Sequence, residues 1–244
     1  MSAHEELLFG DQIAASRLTE RFFALDAQKL LRLAIEYLFP ARIALISSFG
    51  ADSAVLLHMV SQIDQATPVI FLDTLKLFPE TLVYRDKLVA QLGLTNVRTI
   101  KPDQDVLAKE DEDQFLWARD PDRCCEIRKV LPLANALKGY DAWITGRKRF
   151  QAPSRAALPL FEAEADRIKI NPLATWTHED VVAYFDAKDL PWHELVAKNY
   201  FSIGCIPCTS AIRPGEDLRA GRWRGRGKTE CGVHAATLDA GADI

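Results

Sequence analysis

A secretory signal needs a basic start and an apolar stretch, and neither is present, since residues 1–6 read Met-Ser-Ala-His-Glu-Glu. Long hydrophobic runs are missing as well. Stretches such as 43–46 and 69–72 fall far short of the roughly 20 residues a helix needs to cross a bilayer. The expectation is a cytoplasmic protein with no membrane partner, whose thiols stay reduced and form no disulfide framework. An excess of positive charge is also absent. With 30 basic against 34 acidic groups the net charge is −4, which argues against a general nucleic-acid surface. Internal repeats and low-complexity tracts are lacking too, so solenoid and compositionally disordered classes drop out. What remains is 244 residues, 48% hydrophobic and 26% charged, enough for one large domain or one domain with a functional tail.

Apolar residues at helical spacing occupy 17–39 (Leu18, Phe22, Leu30, Leu33, Ala34, Leu38), with Asp26 as break and cap and Pro40 as terminator. Short apolar segments at 43–47, 68–72, 96–100 and 142–145 then alternate with helical ones at 54–63, 79–92 and 124–137. This alternation predicts an α/β fold, a doubly wound and mainly parallel sheet with helices on both faces. Beyond Gly146 the texture changes. Residues 147–158 are polar and basic and read as a mobile loop, 168–170 as one more strand, and Thr177 with Asp180 as the capping-box start of a helix. The expected division is an α/β ligand-binding domain with N-terminal helices over 1–198. A cysteine- and arginine-rich segment over 199–244 packs back on it.

Three features carry chemistry. The first is 46–53, Ile-Ser-Ser-Phe-Gly-Ala-Asp-Ser, where a strand turns into a helix. Small hydroxylated residues and Gly50 let backbone amides approach an anion, and the helix start adds a positive dipole end. It is neither a Walker A loop nor Gly-x-Gly-x-x-Gly. A plain turn with Asp52 or Ser53 as N-cap fits the spacing equally well. The second feature is charge clustering. Arg147, Lys148, Arg149 and Arg155 form one basic group, and Arg213, Arg219, Arg222, Arg224, Arg226 and Lys228 another. In an acidic protein such clusters point to a small anionic ligand.

The third feature is cysteine arithmetic. Cys124 with Cys125, and Cys205 with Cys208, are four thiols in two close pairs, suited to a tetrahedral metal or an iron–sulfur cluster. Spacing does not separate those two, and Cys-x-x-Cys alone equally suits a redox pair. Cys231 is left over, followed three residues later by His234, and looks like a working thiol. Lys228, His234, Arg219 and Arg222 are the cations expected to lower its pKa. Lys129 is placed near the Cys124–Cys125 pair, whereas Arg128 reads as a solvated, helix-stabilising charge. His4, His58, His178 and His193 show no metal-ligand spacing and read as structural or solvated.

These segments together resemble one family. Ser-Ser-Phe-Gly-Ala-Asp-Ser is similar to the modified PP-loop of adenylyl-sulfate and phosphoadenylyl-sulfate reductases, within the nucleotide α-hydrolase superfamily. Leu72-Asp73-Thr74 with Phe78-Pro79-Glu80-Thr81 resembles the family's Leu-Asp-Thr-Gly…Phe-Pro-Glu-Thr segment, with Leu75 where Gly is usual. Gly146 to Arg155 resembles the loop that covers substrate, Cys-Cys-x-Ile-Arg-Lys and Gly-Cys-x-Pro-Cys-Thr the cluster signature, and 228–234 the Lys-x-Glu-Cys-Gly-x-His tail. The resemblance spans about residues 40–235. It implies a 4Fe-4S cluster on Cys124, Cys125, Cys205 and Cys208. It also implies a substrate site including Ser47, Ser48, Phe49, Gly50, Asp52, Ser53, Asp73, Thr74, Lys129, Gly146, Arg147, Arg149, Arg155, Arg219 and Arg222.

The implied reaction is reduction of adenylyl sulfate (APS) to sulfite and AMP in sulfate assimilation. Cys231 carries an S-sulfonate intermediate, and reduced thioredoxin or a glutaredoxin-like protein is the electron donor. The alternatives are the same reaction on the 3′-phosphorylated substrate (PAPS), an ATP-cleaving PP-loop enzyme that thiolates tRNA, and a zinc-stapled binding module. A homo-oligomer is compatible with all of them.

Overall fold

Strands form where the sequence is continuously apolar. In the computed structural model, which describes residues 12–234, β1 (Ile43–Ile46), β2 (Val69–Leu72) and β4 (Ala142–Ile144) are almost wholly buried. Strands covered on both faces must be. With β3 (Val97–Ile100), β5 (Phe161–Glu164) and β6 (Arg167–Ile170) they make a six-stranded sheet of order β3-β2-β1-β4-β6-β5 among the described residues. Every pairing is parallel except β5 on β6, at one edge. The doubly wound, mainly parallel sheet read from the alternation is therefore the observed one.

The helices follow local signals. α1 (Gln12–Phe22) packs on β5, and Asp26 caps α2 (Ala27–Arg32) by accepting the Lys29 N–H at 2.8 Å, as predicted. α3 (Ser53–Ser61) follows the loop after β1, and α4 (Pro79–Leu92) starts on Pro79 and stops at Gly93 with φ 65°. α5 (Gln104–Glu110) and α6 (Leu116–Arg119) were not expected, being too short for a clear period. The helix expected at 124–137 is a continuous rod of α7 (Pro121–Cys125), a π-helical stretch (Glu126–Val130) and α8 (Leu131–Ala136). Pro132 explains the widening. It has no N–H to give to the Arg128 carbonyl, and its ring crowds that oxygen. The predicted capping box is present at α9 (His178–Ala187), where Thr177 and Asp180 exchange bonds.

Two differences from the sequence reading matter for the site. Residues 147–158 are not an open loop. They form two 3-10 turns (Arg149–Gln151 and Pro153–Arg155) that bury Arg147, Lys148 and Arg155. Strand β5 was missed because Phe-Glu-Ala-Glu carries two acids, whose partners Arg147 and Lys169 lie outside the strand, on the β4 loop and on β6.

The strand order places β1 between β2 and β4, so chain connections diverge on either side of the β1–β4 pair. That divergence opens a crevice beyond the carboxyl ends of these strands. The loops after β1, β2 and β4 all reach it.

Of the histidines read as structural, His4 lies outside the described residues, and His58 bonds the Tyr184 hydroxyl at 2.9 Å. His193 is 1% exposed; its Nε2 lies 3.1 Å from Thr81 Oγ1 and its Nδ1 accepts the Leu195 N–H at 3.2 Å. Burial lowers its pKa from 6.5 to about 4, so the folded chain keeps it neutral where the unfolded chain takes up a proton. Its stabilising contribution is complete above pH 6.5 and is lost as pH falls toward 4. Urea midpoints measured across that window should drop in the wild-type protein and drop less in His193→Gln.

Candidate active site

The loop after β1 is shaped from beneath. Ser47 Oγ accepts the Phe49 N–H at 3.2 Å, and Phe49 takes φ +48°. Its ring is fully buried, edge-on to Phe71 with centroids 5.4 Å apart. Phe49, expected among the binding residues, is thus a peg that anchors the loop in the core and does not line the cavity above. Ser47, Ser48, Gly50, Asp52 and Ser53 do line it. Asp52 stands at the N-cap of α3, the alternative reading of this loop, but its side chain makes no capping bond. Ser53 Oγ accepts the Gly50 N–H at 2.8 Å, while the Asp52 carboxylate receives Lys148 Nζ at 2.5 Å and Gln151 Nε2 at 3.1 Å. This ion pair, buried on the Lys148 side, ties the β1 loop to the β4 loop. Lys148, 1% exposed, also donates to the Gly146 carbonyl at 2.9 Å.

The cavity has a volume of about 310 Å³. Its walls carry six cations (Lys129, Arg147, Lys148, Arg155, Arg219, Arg222) against three carboxylates (Asp52, Asp217, Glu230), with apolar surface from Leu56, Leu77, Val181, Trp192 and Phe201. An occupant that is anionic in one part and apolar in another suits such walls. Four of the cations already have protein partners. Lys148 holds Asp52; Arg147 holds Glu162 and Asn171 Oδ1. Arg155 and Arg219 share Glu230. Burial brings Arg219 down to about 10, still charged at neutral pH.

Lys129 and Arg222 differ. Lys129 Nζ has no hydrogen-bond partner among the described residues, and Arg222 spends only Nε, on the Cys208 carbonyl at 3.4 Å, while its guanidinium covers Trp223. Burial works against the Lys129 charge, but the fields of Cys205, Cys231 and Cys125 prevail and hold its pKa above the ordinary lysine value. These two ends are open to an incoming anion.

Cys231 lines the same cavity. A hydrogen bond from the Cys125 thiol holds its pKa well below the usual thiol value against the opposing effect of burial, assisted by Lys129, the Val233 N–H and Arg222. The same contact and burial push Cys125 up. A lowered pKa favours the thiolate, the nucleophilic form of a cysteine. The expected helpers divide. Arg222 acts directly, and Lys228 acts from outside the cavity, paired with Asp122. His234 supplies no charge, because burial first and then Lys169 and Arg147 keep its pKa well below 6.5. It is a neutral ring stacked on Trp143, with Nδ1 buried and unpartnered.

The four remaining cysteines sit at the end of α7 and around a 3-10 turn (Ile206–Cys208). Thr74 Oγ1 lies 3.2 Å from Cys205 Sγ, and Cys124 feels the charges of Cys205 and Cys208. Arg128, expected in solvent, is 4% exposed. It pairs with buried Asp111 at 2.5 Å and donates to the Thr74 carbonyl at 2.8 Å, leaving Nε without a partner. No three metal-ligating side chains among the described residues converge as one ion requires. A polynuclear cluster places each thiolate on a different iron, so separated, buried thiols ringed by cations fit it better than a single-ion site.

Of the expected binding residues, Thr74, Gly146, Lys129, Arg147, Arg155, Arg219 and Arg222 line the cavity with the β1-loop residues. Asp73 and Arg149 do not. The Asp73 carboxylate accepts the Leu75 N–H at 3.0 Å, and Arg149 Nε donates to the Leu158 carbonyl at 2.9 Å. Leu75, in the place of a glycine, holds φ +61° with its side chain exposed. Lys148 was read only as part of the basic cluster, and Gln151 and Glu230 were given no role of their own, although all three lie in segments that carry the resemblance.

The family described as "Phosphoadenosine phosphosulfate reductase domain" matches residues 42–211. The chain is 51% identical over 230 residues to the adenosine 5′-phosphosulfate reductase of Chelativorans sp. (strain BNC1), covering 94% of both chains. Identity to the adenosine 5′-phosphosulfate reductase of Mesorhizobium japonicum is 52% over 225 residues, covering 92% of this chain and 89% of the relative. Among solved structures, the phosphoadenylyl-sulfate reductase of Candida auris, a phosphate complex, aligns with a TM-score of 0.70 at 32% identity. That alignment covers 83% of this chain and 98% of the other.

Gly204 leaves the space that Arg222 fills, since a β-carbon there would meet Arg222 Nη2 at 2.5 Å. Gly204→Ala should move this flexible side-chain end and leave the fold unchanged. A charge-assisted bond contributes roughly 1.5–3 kcal/mol, so the dissociation constant for AMP should rise about tenfold or more in calorimetry, with little change in melting temperature. Unchanged affinity would show that Arg222 does not reach the ligand.

Proposed function

Because the chain belongs to the phosphoadenosine phosphosulfate reductase family, we propose that it reduces adenylyl sulfate to sulfite and AMP, with Cys231 as nucleophile. One observation carries this reading. Cys231 lines the cavity together with two uncommitted cations, Lys129 and Arg222, which add to the Cys125 contact in favouring its thiolate. Relatives at 51% and 52% identity that bear the name adenosine 5′-phosphosulfate reductase favour the substrate without a 3′-phosphate.

The Cys231 thiolate attacks the sulfur of the sulfonucleotide. The bond between that sulfur and the bridging phosphate oxygen breaks, and AMP leaves with the electron pair. Lys129 and Arg222 offset the charge that gathers on the departing oxygen. A phosphate needs no proton to leave, so no general acid is assigned, and neutral His234 suits that assignment. Cys231 remains as an S-sulfonate. A dithiol protein of the thioredoxin or glutaredoxin class then attacks the Cys231 sulfur, sulfite leaves with the electron pair, and the donor's second thiol resolves the mixed disulfide. The donor is oxidised to its disulfide and Cys231 is regenerated as a thiolate.

Cys124, Cys125, Cys205 and Cys208 are the residues that would hold a 4Fe-4S cluster, supported by four buried or half-buried thiols with Lys129, Arg128, Arg222 and Arg226 around them. When bound, the cluster supplies a compact thiolate-rich charge beside the anion site. The chain's own residues carry the reaction. No described helix is long and apolar enough to cross a membrane.

Cys231→Ser, purified without oxygen, should lose sulfite release while keeping visible absorbance, iron and acid-labile sulfide. Persistent sulfite release would overturn the nucleophile, and a colourless wild-type protein with stoichiometric zinc would overturn the cluster. In direct competition, a clear preference for the 3′-phosphorylated nucleotide would move the substrate assignment to PAPS.

A further inference from the structure

Glu230 is an acid in a cavity built for anions. Its carboxylate meets Arg155 side on, with Nε to Oε1 and Nη2 to Oε2 both at 2.7 Å. Ser154 Oγ donates at 3.3 Å and Arg219 Nη2 at 3.4 Å. The third nitrogen of Arg155, Nη1, donates to Gln151 Oε1 at 2.6 Å. Every nitrogen of Arg155 is therefore engaged by protein, unlike the open ends of Lys129 and Arg222. Both partners of the pair are largely buried, at 8% and 17% side-chain exposure. Separating them inside the cavity would leave an uncompensated charge, which is costly.

Other attachments hold this part of the tail as well: Cys231 contacts Cys125, Arg219 Nη2 donates to the Thr229 carbonyl at 3.1 Å, and His234 stacks on Trp143. Val233 sits in a small apolar cluster with Ala44, Ile70, Leu133 and Trp143. Lys228 pairs with Asp122, whose side chain is almost fully exposed, so that bridge contributes little. Glu230 is the largely buried charged attachment next to Cys231.

We propose that Glu230 is a positioning residue. Its carboxylate docks the tail on Arg155 and so sets Cys231 over the cavity, which makes Arg155 the receptor for the tail while Lys129 and Arg222 receive the ligand anion. The bidentate pair fixes direction as well as distance, because a guanidinium fork and a carboxylate meet in one plane. Cys231 follows directly in the chain and has little freedom once Glu230 is held. Release of the pair frees the same segment for the dithiol donor. The inference rests on the proposed function only in taking Cys231 as the nucleophile.

The test uses the anaerobically purified full chain as wild type, Glu230→Gln, Arg155→Gln and the double variant. Alkylation of Cys231 by iodoacetamide, followed by peptide mass spectrometry, and tryptic cleavage after Lys228 both report tail docking without requiring activity. Steady-state kinetics report its effect on turnover. Loss of the charged pair should speed alkylation and cleavage about tenfold and lower kcat about tenfold, with KM within about twofold of wild type. The double variant should be no worse than either single change, because both remove one interaction.

Unchanged alkylation in Glu230→Gln overturns the proposal, and so do additive effects in the double variant. A raised KM with unchanged kcat also overturns it, by making Arg155 a ligand-binding residue. Glu230→Gln keeps the side chain's shape, so the test stands even if Arg155→Gln fails to fold. If Cys231→Ser still releases sulfite, the proposed function fails while the docking readouts remain interpretable.

Discussion

Six cations around one cavity repel each other, and the way this chain contains that repulsion organises the site. Four of them are served by three carboxylates from different parts of the sequence, Arg155 and Arg219 sharing one. Asp52 comes from the loop after β1, Glu162 from the edge strand β5, and Glu230 from the tail. The cations of these pairs are largely buried, so each pair is also a mechanical tie between segments that the sheet alone would not join. Lys148 with Asp52 closes the β1 loop onto the β4 loop. Arg155 with Glu230 brings in the tail. What the pairs leave over, Lys129 and Arg222, is net positive charge facing a partly apolar cavity.

The same logic continues behind the cavity wall. Arg128 holds Asp111 and the Thr74 carbonyl, which joins the cysteine-bearing helix to the loops after β2 and α5. The π-helical stretch falls where that helix presents Arg128 and Lys129, one to the buried acid and one to the cavity. A helix made irregular by Pro132 thus turns two neighbouring cations to different tasks. Cys124 and Cys125, just before it, likewise face different neighbours, Cys205 and Cys208 for one and Cys231 for the other.

Much of this was legible in the sequence, for identifiable reasons. The strands at the centre of the sheet are runs of apolar residues with no charge, and such runs have few alternatives to burial. Asp26, Pro79 and the Thr177–Asp180 box act within a few residues of themselves, so their structural effects are local and readable. Phe49 was misread because a motif position says that a residue is near the ligand loop, not which way its side chain turns. Its positive φ sends the ring into the core. The segment 147–158 looked mobile because it is polar, but its charges are neutralised by Asp52, Glu162 and Glu230, none of which lies within it.

The sequence by itself determined the alternating α/β order, the small-residue loop after the first strand, and the division of the cysteines into two pairs and one left over. These depend on residue type and short spacing, where covalent geometry and local hydrogen bonding dominate. Only the tertiary structure decided which cations stay free, that His234 is neutral, that Arg128 is buried, and that Glu230 docks the tail on Arg155. Those outcomes depend on desolvation and on charges that meet only when distant segments pack, and neither quantity exists until the chain has folded.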